Sequence, residues 1–303
     1  VGGVELGSVV NLSDGVSAFG YTHLASASMN VRGVNQHANV DAYRFGGGFQ
    51  CVGYDAYIFA TGGGGVQNYD VRRSLDAFAG STFVDGGEPS FDKLLGNVGV
   101  VFAPIDGVTV FSSFAQGFTM PDAGLILRAV NTPDQSVDAL VDLQPVVADN
   151  LEIGAAYRRD GFDLAASYFW SDSDLGSRIQ VVDGAGRIRR ERTEISGFEF
   201  SGSYRFDSGL TLGANYAALE GEYDSDGDGA VDRDLDGRNI APDRLNAYVE
   251  GPLTNNFFGR LQASTFLDRA FSGGLPEHDF DGHMLVDALV SYQSDSIGEV
   301  SLG

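Results

Sequence analysis

A two-residue alternation, repeated in segment after segment, constrains this chain more than any other feature. Successive side chains of an extended strand point to opposite faces. Taking every second residue, Leu151, Ile153, Ala155 and Tyr157 share one face. Phe162, Leu164, Ala166, Tyr168 and Trp170 form the next set, then Phe198, Phe200, Gly202, Tyr204 and Phe206. Leu210, Leu212, Ala214, Tyr216 and Ala218 follow, and Met284, Val286, Ala288, Val290 and Tyr292 complete the series. None of these is charged, whereas Glu152, Arg158, Asp163, Glu199, Ser201, Ser203, Arg205, Asn215 and Asp287 lie between them. One face suits hydrocarbon and the other suits water.

The rhythm predicts strands at 96–103, 108–117, 149–158, 162–171, 195–206, 210–220, 243–250, 256–267, 283–293 and 297–303. Their connections alternate in length. Those at 104–107, 159–161, 207–209, 251–255 and 294–296 are short, and Asp106-Gly107, Asp160-Gly161 and Ser208-Gly209 supply hairpin-turn chemistry. Those at 118–148, 172–194, 221–242 and 268–282 are long. Long structureless loops are foreign to a compact soluble domain. An outer-membrane barrel has short turns on one side and long loops on the other. Aromatics gather at both strand ends, Tyr157, Tyr204, Phe206 and Tyr292 beside short turns and Tyr168, Trp170 and Tyr216 toward long loops. Interfacial girdles have that layout. A soluble β-sandwich with one buried face per strand explains the alternation but not the loop asymmetry.

The 303 residues include 42 Gly and 11% aromatics, as expected of an all-β chain rather than an acidic disordered tail. The longest run of hydrophobic residues is Ala56–Ala60, far short of the ~20 that a spanning helix needs. With 19 basic and 42 acidic residues the net charge is −23, which argues against nucleic acid as a partner. The single Cys51 excludes an internal disulfide and a Cys-based zinc site. Residues 1–95 are expected to be the β-rich N-terminal part of the barrel and 96–303 its strands with long extracellular loops. Within 1–95, strands at 15–21, 26–33, 43–50 and 54–61 fit, but Gly46–Gly48 and Gly62–Gly65 break the pattern. The second run reads as a flexible loop, because it lacks the Lys-Ser/Thr of a phosphate-binding loop.

An ordered series of segments resembles the C-terminal barrel of TonB-dependent outer-membrane receptors. Pro89-Ser90-Phe91-Asp92-Lys93 leads into Gly96-Asn97-Val98-Gly99-Val100-Val101-Phe102 and the turn at Asp106-Gly107. Val110-Phe111-Ser112-Ser113-Phe114-Ala115-Gln116-Gly117-Phe118, with Pro121 beyond it, is similar to the family's strand ending in aromatic-x-x-Gly-aromatic-x-x-Pro. Asn150-Leu151-Glu152-Ile153-Gly154, Glu194-Ile195-Ser196-Gly197-Phe198-Glu199 and Asn239-Ile240-Ala241-Pro242-Asp243-Arg244-Leu245 are similar to further recurring strand starts. The resemblance implies a transmembrane antiparallel up-and-down β-barrel in the outer membrane of a Gram-negative cell. It implies 22 strands in the whole family barrel, of which this sequence would be a piece. It further implies an N-terminal plug, here absent from the sequence, that contacts the TonB energy-coupling complex. The cargo would be a scarce nutrient, first among them a ferric siderophore. A passive porin-like channel and a soluble calcium-stabilised β-sandwich adhesin are the alternatives.

Three loops carry candidate sites. In 221–242, Asp224, Asp226 and Asp228 alternate ahead of Gly229, with the Ala230 carbonyl and Asp232 at the seventh and ninth positions. This matches the start of a calcium loop, in which carboxylates converge on a hard cation from a tight turn. The twelfth position is Leu235 rather than Glu, so the motif is not an EF-hand. The loop holds seven carboxylates against Arg233 and Arg238, which also fits a plain solvated acidic loop. In or beside 172–194, Arg178, Arg187, Arg189, Arg190 and Arg192 offer forks for an anionic ligand or for lipopolysaccharide phosphates, or simply balance the acids of that loop. In 118–148, Phe118, Met120, Pro121, Leu125, Ile126 and Leu127 would touch substrate if the loop folds inward. His23, His37, His278 and His283 are scattered and no nucleophile elbow occurs, so no enzyme is expected. His278, Asp279 and Asp281 read as a polar loop rather than a metal site.

Overall fold

The computed structural model describes residues 2–31, 36–53, 55–73, 84–87, 90–119, 135–136, 145–182, 185–271, 279–294 and 298–303. Among them every regular element is a strand. In chain order these are β1 (Gly2–Ser13), β2 (Val16–Val31), β3 (Gln36–Val52), β4 (Ala56–Arg73), β5 (Val84–Gly87), β6 (Ser90–Ile105) and β7 (Val108–Thr119). There follow β8 (Gln135–Ser136), β9 (Val146–Arg159), β10 (Phe162–Ser173), β11 (Arg178–Val182), β12 (Ala185–Arg189), β13 (Thr193–Arg205) and β14 (Thr211–Tyr223). The last are β15 (Arg233–Asp234), β16 (Arg244–Pro252), β17 (Phe257–Phe266), β18 (His283–Ser294) and β19 (Gly298–Leu302). Each strand expected from residue 96 onward is present. The alternation of short and long connections is present too, and Asp160 and Gly161 close their turn with φ of 53° and 84°, the primed geometry that matches strand twist.

Contacts divide the chain into two units, one of 1–100, 113–150 and 173–191, the other of 101–112, 151–172 and 192–303. In the first, β1 to β4 form an antiparallel meander. Register puts Val4, Leu24, Tyr43 and Val66 in one row and Val10, Ala18, Phe49 and Ala60 in another. On the opposite face Glu5, His23, Arg44 and Gly65 align, and beside them Gly7, Tyr21, Gly46 and Gly63. The same apolar/polar division thus extends into residues 1–73. Strand β5 also makes a two-residue parallel pairing with β8.

The glycine runs correct the sequence reading. Gly62–Gly65 is not a loop, and neither run ends a strand. Strands β3 and β4 pass straight through, with Gly46 opposite Gly63 and Gly47 opposite Gly62. The reason is steric: a Cβ on Gly46 would stand 2.7 Å from the Tyr21 ring, and one on Gly63 would stand 2.9 Å from the Phe45 carbonyl oxygen. Only residues without side chains let that ring lie flat across the neighbouring strand.

In the second unit β13, β14, β16, β17, β18 and β19 pair in sequence order, all antiparallel. One face carries the rows Tyr204, Leu212, Val249, Leu261, Ala288 and Phe200, Tyr216, Leu245, Thr265, Met284. The other carries Ser203, Gly213, Tyr248, Gln262, Asp287 and Ser201, Asn215, Asn246, Ser264, Leu285. Leu261, Met284 and Val286 are 50%, 62% and 61% exposed, and among the described residues no second sheet of this unit covers them. A sandwich would bury those residues first, so that alternative fails here. At the short-connection end Tyr204 stacks against Phe162 (4.4 Å) and Phe206 (4.7 Å), and Phe257 against Tyr292 (4.9 Å). Of the rings expected there, Tyr204 and Phe206 touch each other, and Tyr292 touches Phe257.

The buried apolar cluster of this unit lies at the long-connection end. Leu235, Ile240 and Phe271 pack with Ile195, Leu219 and Tyr223. A fold that keeps its large side chains outward along the wall and its small core among its loops has inverted the ordinary soluble arrangement.

Candidate functional site

The Asp-rich connection is a folded object rather than a free acidic loop. Strand β14 runs on to Tyr223, and β15 returns against it through Tyr223–Arg233 and Glu222–Asp234. Leu235, at the place where a calcium loop of the helical type has its glutamate, is buried to 3% exposure in the apolar cluster. Between β14 and β15 the backbone curls around Asp224. Its Oδ1 accepts from the N–H of Gly227 (2.6 Å) and Asp226 (3.2 Å), and its Oδ2 from Gly229 (2.8 Å). Asp226 accepts from the Asp228 N–H (3.1 Å) and Asp228 from the Ala230 N–H (2.8 Å). Gly229 has φ +92°, which a side-chain-bearing residue would resist. The result brings one carboxylate oxygen each of Asp224, Asp226 and Asp228 within 4.8 Å of one another.

Electrostatics follows the same geometry. The Gly229 N–H holds the Asp224 carboxyl below the usual carboxylate range. Desolvation opposes it, and the N–H groups of Gly227, Asp226 and Asp228 add to it. Asp232 does not join the cluster, because its two oxygens accept from the Ser225 N–H and Ser225 Oγ, both at 2.8 Å. It braces the base of the loop instead. Ala230 follows Gly229 as the spacing predicts, with its N–H given to Asp228.

Arg192 ties this loop to the sheet. Its Nη1 donates to the Gly229 carbonyl (3.0 Å), its Nε and Nη2 grip Asp172 (3.2 and 3.1 Å), and Nη2 also meets Glu194 (2.8 Å). The Asp224 N–H donates back to the Arg192 carbonyl (3.0 Å). Arg178 is paired with Glu191. For these two arginines charge balance accounts for the sequence pattern. The segment 172–194 is not structureless, since β11 and β12 form a hairpin with Arg178 opposite Arg189 and Gln180 opposite Arg187. Arg189 donates to Gln180 Oε1 (2.9 Å) and Arg190 follows the hairpin.

Phe118 is a strand residue, near the end of β7, rather than the start of a loop. It lines a concavity of about 220 Å³ in the first unit, together with Tyr21, Arg44, Thr61, Lys93 and Asn97. Met120, Pro121, Leu125, Ile126 and Leu127 lie outside the described residues, as does His278. Asp279 accepts from the Phe271 N–H (3.1 Å), which gives it a structural post. Sequence reasoning missed Arg269. Its guanidinium donates to the Leu219 carbonyl, lies 3.8 Å from Asp243 and sits over the Phe271 ring. It missed the concavity as well, since Arg44 and Lys93 are 49 residues apart and only strand pairing joins them.

Comparison with known proteins gives this wall a family. The profile described as "TonB dependent receptor-like, beta-barrel" matches residues 14–303. The ferric aerobactin receptor of Klebsiella pneumoniae is 24% identical over 278 residues, covering 80% of this chain and 35% of that protein. The rhizobactin receptor of Rhizobium meliloti (strain 1021) is 23% identical over 197 residues, 55% of this chain and 25% of that protein. Among solved structures the copper transporter OprC superposes with a TM-score of 0.76 at 16% identity, over 99% of this chain and 49% of that one. The ferric-catecholate import receptor Fiu of E. coli K12 gives 0.65 at 13%, over 97% and 48%. The chain thus spans about a third or less of the two receptor sequences and about half of the structures, whose low identity speaks for the fold. The matched family is one of receptors and transporters rather than enzymes. This chain belongs to the β-barrel family of TonB-dependent receptors.

Proposed function

We propose that this chain is part of the wall of an outer-membrane receptor that takes up a ferric siderophore, driven by TonB through a plug domain. The observation that carries this reading is the exposed apolar face that each unit presents, with the row Val4–Leu24–Tyr43–Val66 in the first and the row Tyr204–Leu212–Val249–Leu261–Ala288 in the second, where rings gather at the short-connection end. Such rows are stable against lipid tails and costly against water. The names of the two sequence relatives, both siderophore receptors, support the choice of cargo. The decisive experiment is uptake of radiolabelled iron as siderophore complexes by iron-starved cells, with and without the full-length gene. Uptake of a ferric siderophore that requires both this gene and an intact TonB system is the expected result. Equal uptake without TonB would favour a passive channel, and no uptake of any siderophore would refute the cargo.

The Asp224–Asp226–Asp228 cluster is proposed to hold calcium on the extracellular side. A site with three carboxylates and no bidentate glutamate belongs with extracellular modules that bind in the ~0.1–1 mM range. Titration calorimetry should detect saturable binding that Asp226→Ala abolishes, and identical heats from both proteins would remove the proposal. Arg187, Arg189 and Arg190, on and after the β11–β12 hairpin, are the arginines proposed to meet an anionic ferric complex or lipopolysaccharide phosphate, with Phe118 of β7 and Met120 beyond its end as further contacts.

A further inference from the structure

We propose that three aromatic rings on the polar face of the second unit lie flat on glycines and thereby keep the passage side of the wall clear for cargo, with Tyr248 as the ring that Arg260 holds down. The inference rests on the importer reading and adds to it residues that govern the rate of passage rather than the capture of cargo.

The same geometry recurs three times. Phe111 of β7 lies on Gly154 of β9, Phe169 of β10 on Gly197 of β13, and Tyr248 of β16 on Gly213 of β14. A Cβ on Gly197 would stand 2.5 Å from Phe169 Cζ, and one on Gly154 or Gly213 would overlap the ring above it. Each glycine alternates with the apolar set of its strand: Gly154 lies between Ile153 and Ala155, Gly197 beside Phe198 and Gly213 between Leu212 and Ala214. All three rings are therefore on the face away from lipid. Gly213 lies two residues from the short-connection end of β14 at Thr211, Gly154 five from that of β9 at Arg159, and Gly197 eight from that of β13 at Arg205. Each step of three residues is about 10 Å of strand, so the rings are spread along the wall rather than gathered at one end. Only a residue without a side chain lets a ring rest on the neighbouring backbone in this way.

Tyr248 shows what the glycine permits. In register it stands between Gly213 on one side and Gln262 on the other. Its ring covers Gly213, and the Arg260 guanidinium lies over that ring, 4.3 Å from its centroid. Arg260 is itself held by Glu250 (2.6 Å) and Gln262 (2.7 Å). The ring is thus sandwiched between backbone and a fixed cation, which its face attracts. Side chains choose among a few staggered wells. With the well over Gly213 filled by a side chain, and the side toward β17 held by Gln262 and Arg260, the remaining well aims the ring off the wall. Phe111 has the same constraint. It borders a concavity of about 420 Å³ lined by the short side chains of Ser167, Ser201, Asn215 and Asn246, and a raised ring would intrude on that space.

The test separates binding from passage in the full-length receptor. Iron-starved cells receive radiolabelled ferric aerobactin, a ferric catecholate or a ferric trihydroxamate, and uptake is divided by the amount of folded barrel read from heat-sensitive gel mobility. Gly213→Val should lower the uptake rate per folded receptor about tenfold and leave the dissociation constant at the cell surface unchanged within about twofold. Arg260→Gln, which leaves the glycine untouched, should lower the rate about threefold. Adding Tyr248→Ala to either variant should restore uptake, because it removes the obstructing ring. Unchanged uptake per folded receptor in both variants overturns the inference. So does a loss that Tyr248→Ala fails to restore, or one that appears in affinity instead of rate, and each of these leaves the importer reading standing. If Gly213→Val yields no folded barrel, Arg260→Gln with and without Tyr248→Ala decides alone. Uptake of none of the three complexes by the unaltered receptor overturns the importer reading and the inference with it.

Discussion

Leu261→Arg should cripple insertion of this wall, while Gln262→Arg, one residue on, should be nearly silent. Leu261 sits on the apolar face between Val249 and Ala288, 50% exposed. It lies four residues along β17 from Phe257, which stacks on Tyr292 in the lower ring cluster. Four residues are about 14 Å of strand, or roughly 10 Å of height at a tilt of about 40°. In an apolar band about 25 Å tall that is close to the midplane, where arginine costs about 2–4 kcal/mol. The folded fraction at matched denaturant should fall roughly 30- to 700-fold, at about 1.4 kcal/mol per tenfold. Gln262 faces the other way, hydrogen-bonded to Arg260 (2.7 Å) and opposite Asp287, whose carboxylate can pair with a new guanidinium. Its substitution should cost no more than about 1 kcal/mol. The assay is refolding of the full-length protein into liposomes across a urea series, with the heat-sensitive gel mobility of the folded barrel as readout. Equal losses from the two substitutions, or a larger loss from Gln262→Arg, would refute the assignment of faces.

Other substitutions probe the loops and the glycine rows. The order of the Asp-rich loop should survive acid better than an ordinary carboxylate cluster. The depressed Asp224 value means its contribution is complete above the unfolded carboxyl value near ~3.9 and is lost only as pH falls through the lower folded value. Amide exchange at Gly227 and Gly229 against pH would show protection persisting below pH ~4, and loss well above that contradicts the geometry. Gly46→Val should destabilise by about 1–3 kcal/mol because its side chain meets the Tyr21 ring at 2.7 Å, whereas Gly20→Ala should be tolerated, its nearest neighbour being 3.8 Å away. Thermal scans of both variants decide it, and a tolerated valine would mean that the ring can move aside. Leu235→Ala should open the apolar cluster at the long-connection end by about 2–3 kcal/mol without unfolding the wall. Limited proteolysis should then cut within 224–243, and an unchanged digest would deny that cluster its role.

The strands from residue 96 onward were legible because their alternation is a direct imprint of two solvents on two faces. Their long-loop ends reach beyond the expected limits, as at Tyr223 and Ser173, because strand pairing continues after the apolar requirement has ended. Residues 1–95 were only partly legible for a related reason. The segments expected at 43–50 and 54–61 mark parts of β3 and β4, but Gly46–Gly48 and Gly62–Gly65 carry no side chains and erase the period that would have shown how far those strands run. Spacing alone placed Asp224, Asp226 and Asp228 together. It could not show that Ser225 engages both oxygens of Asp232, nor that Leu235 serves the apolar cluster. The arginines were visible as a cluster, but Asp172, Glu191 and Glu194 become their partners only once the strands are aligned.

The central claim is that the apolar face of this sheet meets lipid. A spin-label scan along β17, residue by residue from 257 to 266, in reconstituted full-length protein tests it most directly. Oxygen accessibility should peak at 257, 259, 261, 263 and 265, with water-soluble nickel chelate excluded there and maximal at the positions between. Chelate reaching 259, 261 and 263 as readily as their neighbours would contradict the claim.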